Sequence, residues 1–265
     1  MDIAFLSTDR LETPAVSVRD RSFLLGDGCF ETLFVHAGKA EGISEHLGLL
    51  RQSANTLGIT GFPKDAALRA AIEEAASSAS GDASIRITLS RGAGGRGADP
   101  GDSAPLTVIS LSPLPHSRPF PPLTAITSTI LRNETSPISR IKATNYADNL
   151  AARREAVAAG AGEALMLNTR GRPTCFAMGN LFLRSPDRRW LTPPPEEGVR
   201  PGYMRAKVIA KLKADGHAIE EAAISLDQLR ANGACLFATN SLWGLRPVAQ
   251  LDSHPYEIDM VPFGG

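Results

Sequence analysis

Four stretches of this 265-residue chain carry residue types and spacings that could do chemistry. Lys142 sits in Ile138-Ser139-Arg140-Ile141-Lys142-Ala143-Thr144-Asn145-Tyr146, just ahead of a segment with strong helical character. An amine that loses its water has a lowered pKa and becomes free for Schiff-base or base chemistry; otherwise Lys142 is a solvated lysine at a loop edge. Gly92-Ala93-Gly94-Gly95-Arg96-Gly97 follows a strand-like segment and matches GxGxxG. A dinucleotide loop must open a helix whose first N–H groups hold the pyrophosphate. The next residues, Ala98-Asp99-Pro100-Gly101-Asp102, are unsuited to that helix, so the dinucleotide reading is rejected. The glycines around Arg91 and Arg96 suit either close approach to a carboxylate ligand or a mobile surface loop. Thr239-Asn240-Ser241 ends an apolar strand, as an anion site or an ordinary turn would. Gly198-Val199-Arg200-Pro201-Gly202-Tyr203-Met204-Arg205 opens a helix whose N–H groups either take a phosphate or are simply capped.

Composition narrows the classes these residues can serve. Apolar residues make up 43% and charged residues 21%, ordinary for a soluble globular protein. Lys+Arg and Asp+Glu balance at 28 each, so no excess positive charge is available for a nucleic acid. No apolar run reaches the roughly 18 residues of a membrane span, and the start has no basic-then-apolar leader pattern. Cys29, Cys175 and Cys235 are far apart with no CxxC pair, and the five histidines show no HxxxH spacing. These patterns argue against a disulfide framework and a metal site, and they suit the cytoplasm.

The elements that must position these residues read as mixed α and β. Five prolines in the stretch 112–122 remove backbone donors and fix φ. Residues 113–122 are therefore expected to link a smaller N-terminal α/β domain, 1–112, to a larger C-terminal α/β domain, 123–265, with the site in the cleft between them. In the first, strands are expected at Glu31–Val35, Ser84–Ser90 and Leu106–Leu111, the first of them after a tight Gly26-Asp27-Gly28 turn. Helices are expected over Lys64–Ser78 and after a Ser44 N-cap. In the second, strands are expected at Leu123–Leu131, Glu163–Leu167, Asn180–Leu183 and Ala234–Ala238. Helices are expected at Tyr146–Ala159 and Met204–Ala214.

In this order the motifs resemble a family. Asp20-Arg21, Gly26-Asp27-Gly28-Cys29-Phe30-Glu31-Thr32, Lys142 with Asn145, Gly162-Glu163-Ala164-Leu165, Gly171 and Asn180-Leu181-Phe182 look like the class IV aminotransferases, the fold-type IV pyridoxal-phosphate enzymes. Ser90-Arg91-Gly92-Ala93-Gly94-Gly95-Arg96-Gly97 and Thr239-Asn240-Ser241-Leu242 are closest to the 4-amino-4-deoxychorismate lyase branch. The resemblance implies a two-lobed α/β fold, of the D-amino-acid aminotransferase type, and a homodimer acting on a small-molecule substrate. It implies that Lys142 holds the aldehyde of pyridoxal 5'-phosphate, that Tyr146 lies near the ring hydroxyl, and that Tyr203, Met204, Asn240 and Ser241 hold the phosphate. Arg96, with Arg91 and Thr32, would meet substrate.

Two positions depart from the family pattern. Counting back from Asn180, Cys175 stands where the family carries the glutamate that pairs with the pyridine nitrogen. A thiol cannot stabilise a pyridinium as a carboxylate does, so the ring would be a weaker electron sink. Leu49 stands three residues after His46, where the family has a phosphate-binding arginine, and Arg51, two residues further on, lies about 200° around a helix from Leu49. The expected function is the lyase reaction, in which 4-amino-4-deoxychorismate gives 4-aminobenzoate and pyruvate in folate biosynthesis through a Lys142 Schiff base. Formation of an aromatic ring tolerates a weaker electron sink than transamination does. The alternatives are a branched-chain or D-amino-acid aminotransferase, and a cofactor-independent enzyme using Lys142 as acid or base.

Overall fold

The computed structural model describes residues 1–95, 97–116 and 118–258. The chain forms two compact units, Met1–Ser117 with Ile141–Tyr146, and Arg118–Arg140 with Ala147–Gly265. The first change of unit falls inside the proline-rich stretch. The lysine segment differs from the single-linker expectation, because Ile141–Tyr146 packs with the first unit.

The first unit contains β1 (Asp2–Leu6), β2 (Asp9–Arg10), α1 (Arg21–Leu25), β3 (Gly28–His36), β4 (Lys39–Ala40), α2 (Ile43–Leu57), α3 (Asp65–Ser77), β5 (Ala83–Ser90) and β6 (Leu106–Pro113). The strands form one sheet in the order β2-β1-β6-β5-β3-β4. Alternation sends Cys29, Leu33, Val35, Ile85, Ile87 and Leu89 to one face, against Leu47, Leu50, Leu68 and Ile72 of the two long helices. The opposite face carries Phe30, Thr32, Arg86 and Thr88, in which Thr32 lies across from Arg86 and Phe30 from Thr88. Helix α2 begins two residues earlier than a Ser44 cap would give. Ile43 is buried, Gly42 is the N-cap, and the Ser44 hydroxyl accepts from Arg69 instead.

One polar pair interrupts the first core. His46 Nδ1 lies 2.9 Å from Glu31 Oε2, and both side chains are 1% exposed. His46→Leu would remove a main partner of a buried carboxylate, at a cost of about 2–4 kcal/mol. Urea unfolding should show that loss; a change below about 0.5 kcal/mol, the usual surface value, would contradict it.

The second unit contains β7 (Leu123–Thr127), α4 (Ala147–Ala158), β8 (Glu163–Leu167), β9 (Pro173–Phe176), β10 (Gly179–Arg184), β11 (Trp190–Thr192), α5 (Tyr203–Ala214), β12 (Ile219–Glu221), α6 (Leu226–Leu229), β13 (Cys235–Asn240), β14 (Gly244–Leu251) and β15 (His254–Pro255). Because β9 pairs with both β8 and β10, the strands β9-β10-β13-β14-β7-β8 close into a ring. Its inner core holds Leu123, Leu165, Phe176, Leu181, Leu236 and Val248. On the outer face, Ala152 and Ala156 of α4 pack on Ala164, Met166 and Ala177. Helix α5 sets Met204, Val208 and Leu212 against Phe182, Trp190 and Phe237. Strand β7 stops short of Leu131 because the chain turns at Ser128 and Thr129, whose backbone and hydroxyls bind the Glu155 carboxylate.

Candidate active site

In the first unit the lysine segment is held along β3. Phe30 N–H donates to Lys142 O at 2.8 Å, and Thr144 N–H donates to Gly28 O at 2.9 Å. The Ser22 hydroxyl adds a bond to Thr144 Oγ1 at 2.8 Å. Both turn glycines are tightly packed, the first of them against this segment. Gly26 has φ +68°, and a Cβ there would lie 2.7 Å from Asn145 Cβ; at Gly28 it would lie 2.6 Å from Leu89 O. Gly26 is therefore what lets the lysine segment come close, while Gly28 makes room for the Leu89 carbonyl of β5.

The half-buried Lys142 amine lies 4.4 Å from the centre of the Phe30 ring and 5.1 Å from that of Tyr146. Phe30 and Tyr146 meet edge to face at 5.5 Å. These rings limit hydration of the amine, a setting suited to carbonyl chemistry. Arg86, which sequence reasoning did not single out, shares this face. Although the residue as a whole is exposed, its guanidinium carbon stacks 3.5 Å from the Phe30 ring centre. Desolvation there lowers its pKa against the opposing pull of Tyr146, and a guanidinium remains charged at neutral pH. Its only sequence signal was an ordinary alternating strand position.

Arg91 occupies a different environment. Its guanidinium binds Asp27 Oδ2 at 2.7 Å and the carbonyls of Leu57 and Gly58. It anchors the base of the glycine loop, and a substrate carboxylate would have to displace those bonds. Arg21, 4% exposed, organises the same loop by donating to Gly97 O and Ala98 O at 2.9 Å each. Burial alone would raise the Asp27 carboxyl, but the Arg91 and Arg21 hydrogen bonds hold it below its usual range. No helix follows the loop among the described residues 91–122, as the rejection of a dinucleotide site requires. Arg96 lies outside the described residues. Leu49 is half-buried on α2, and Arg51 is turned to Asp65 and the Phe62 ring.

In the second unit, strand register brings Cys175, Asn180 and Thr239 side by side across β9, β10 and β13. Cys175 is buried, with Thr174 Oγ1 at 3.5 Å from its sulfur. Asn180 Nδ2 donates to Arg200 O at 2.9 Å, fixing the approach to α5. That helix starts at Tyr203 and Met204 behind a Gly202 N-cap, which gives the first turn no capping side chain. An N-terminus of this kind suits an anion. Asn240 organises its own loop: Nδ2 donates to Met178 O at 3.0 Å, while Oδ1 accepts from Leu242 N–H and Trp243 N–H. Ser241 follows, its carbonyl bound by Arg118. Any hold of Asn240 on a phosphate would thus use its backbone or rearrange these bonds. All three cysteines are buried and none is in a disulfide. Among the described residues there is no group of His, Cys, Asp and Glu able to hold a metal, and no helix long and apolar enough to cross a membrane.

A lysine zipped beside the opening strand, a barrel unit with a glycine-capped helix, and the order of the motifs define the class. The model for the amino-transferase class IV family matches residues 28–251, and the chain belongs to that family. It is similar to an aminodeoxychorismate lyase of Vibrio harveyi, 30% identical over 259 residues, covering 94% of this chain and 92% of the relative. It is also similar to a bifunctional aminodeoxychorismate lyase / D-amino acid transaminase of Mycobacterium tuberculosis, 27% identical over 250 residues, covering 87% and 81%. The crystal structure of 4-amino-4-deoxychorismate lyase from Pseudomonas aeruginosa matches with a TM-score of 0.84 and 28% identity, covering 98% of this chain and 94% of that one. The chain is a class IV enzyme with the fold of the fold-type IV pyridoxal-phosphate enzymes.

Proposed function

We propose that this enzyme is a lyase converting 4-amino-4-deoxychorismate to 4-aminobenzoate and pyruvate, with pyridoxal phosphate as cofactor. The observation carrying this reading is Cys175 beside Asn180 and Thr239 at a position where the family places a carboxylate. When bound, the cofactor would supply a conjugated electron sink, a weaker one where a thiol rather than a carboxylate meets its ring nitrogen. An elimination that creates an aromatic ring draws its driving force from the product and tolerates that weakness. The lyases of similar sequence support the same reading.

Each unit, taken by itself, carries groups of the kind the cofactor needs. Lys142 would hold the aldehyde, with Tyr146 close to its amine. The Gly202-capped start of α5, at Tyr203 and Met204, would hold the phosphate together with the Asn240–Ser241 segment. With its amine available, Lys142 Nζ would take the proton from the ring carbon bearing the substrate amine and would deliver a proton to the methylene of the departing enolpyruvyl group. Arg86, opposite Thr32, would bind a substrate carboxylate, the role that the sequence resemblance gives to Arg96. Loss of a charged hydrogen bond is worth about 1.5–3 kcal/mol. Arg86→Ala should therefore raise KM roughly 10- to 100-fold with a smaller change in kcat; an unchanged KM in steady-state assays would remove Arg86 from the site.

Aminotransferase action is the second reading, favoured by the bifunctional relative. A half-reaction separates the two. Mixing the cofactor-loaded enzyme with branched-chain or D-amino acids should leave the absorption spectrum of the cofactor unchanged for a lyase. Stoichiometric conversion to the pyridoxamine form would establish the transaminase.

A homodimer is also part of the proposal. Val18, Phe23, Leu24 and Leu25 are 81%, 74%, 57% and 55% exposed in one short run, an apolar surface that a second copy would cover. A cavity of about 210 Å³ beside α1, lined in part by Val16, Phe23, Leu106 and Val108, adjoins that run. Cysteines outside any disulfide support placement in the cytoplasm.

A further inference from the structure

Glu163 is a carboxylate with no assigned role in an apolar setting. It lies on β8 opposite Ala125 and shares the barrel's inner face with Leu165. Its side chain is 0% exposed. Oε1 accepts from Ala164 N–H at 2.9 Å, while Oε2 has no hydrogen-bond partner among the described residues. The charges facing it are Arg153 from α4 and Arg246 from β14, and the Met178 amide also favours its ionised form. Burial outweighs all of these and raises the carboxyl to about 7.

The surroundings connect this carboxylate to the candidate phosphate loop. Ala177 and Met178 form the turn joining β9, which carries Cys175, to β10, which carries Asn180. Asn149 Nδ2 holds Ala177 O at 2.7 Å, and Asn240 Nδ2 holds Met178 O at 3.0 Å. The Met178 N–H thus faces Glu163 while the Met178 C=O accepts from Asn240. A second route runs through Arg246, whose guanidinium carbon lies 5.3 Å from the Trp243 ring centre. Trp243 N–H in turn donates to Asn240 Oδ1 at 2.9 Å.

We propose that Glu163 is a positioning residue whose proton-binding state is transmitted through the Ala177–Met178 turn and Arg246 to the Asn240–Trp243 loop. Ionised, it attracts the Met178 amide and Arg246 and keeps the loop in the observed arrangement. Protonated, it loses that attraction and the loop relaxes. The consequence for cofactor affinity, weaker binding on the acid side, rests on the proposed function. The loop change does not, and it is read in the cofactor-free protein.

Trp190→Phe leaves Trp243 as the sole tryptophan. In that background, Trp243 fluorescence should titrate with a midpoint near 7. Glu163→Gln should abolish this step. Asn240→Ala, which keeps the carboxyl but cuts the link to Met178 O, should reduce its amplitude at least twofold. An infrared titration of the carboxyl in the Asn240→Ala protein should still show protonation near 7. A fluorescence step of unchanged midpoint and amplitude in Glu163→Gln, or in Asn240→Ala should the first variant not fold, overturns the proposal. So does a carboxyl that stays ionised down to the ordinary glutamate range.

Discussion

Lys142→Ala is expected to lose at least about 10²–10⁴-fold in kcat, the span associated with a positioned proton-transfer group. The same substitution should abolish the borohydride-stable cofactor adduct that peptide mapping finds on Lys142 in the wild type. The two readouts test different parts of the account. Activity that vanishes while an adduct persists on another lysine would mean that Lys142 moves protons without holding the cofactor. Activity that depends on Lys142 but survives complete removal of pyridoxal phosphate would establish the cofactor-independent alternative. The fold gives a reason to expect little structural damage. The segment is tied to β3 through its backbone, and those bonds do not involve the amine.

Glu163→Gln carries the second large effect, on stability. In the unfolded chain this carboxyl titrates near 4.5, and in the fold near 7. Between these values the folded state keeps a proton that the unfolded state has already released. Stability therefore falls as pH rises through that window, and the full difference amounts to about 3 kcal/mol. The glutamine variant carries no such charge and retains an acceptor for the Ala164 amide. It should be more stable than the wild type at pH 8, approaching that margin, and close to it near pH 4.5. Urea unfolding at the two pH values measures the difference. Equal stabilities of variant and wild type at pH 8 would show that the ionised carboxylate is well accommodated.

The elements legible in the sequence were those with a clear period. The apolar alternation of β3 and β5 and the helical spacing of α3 and α5 are local properties, and local chemistry specifies them. The barrel was harder to see because short strands such as β9 and β11 carry little periodicity, and ring closure depends on β9 pairing with β10 as well as β8. The packing of Ile141–Tyr146 with the first unit likewise depends on a distant pairing to Gly28 and Phe30. Lys142 was findable because its neighbours form a recognisable motif. Arg86 was not, since a cation at one alternating position looks like any solvated strand residue until Phe30 and Tyr146 are placed beside it. The reverse holds for Arg91. Its glycine-rich neighbourhood suggested a ligand, whereas its guanidinium is bonded to Asp27 and two backbone carbonyls. Glu163 was visible only as part of a motif, and its importance arises from burial without a partner for one oxygen.

The central claim is tested most directly by supplying pure 4-amino-4-deoxychorismate to the cofactor-loaded enzyme and quantifying both products over time. The account predicts 4-aminobenzoate and pyruvate in equal amounts, many turnovers per subunit, and no net conversion of the cofactor to its amine form. Absence of 4-aminobenzoate from an enzyme that demonstrably holds the cofactor on Lys142 would contradict it.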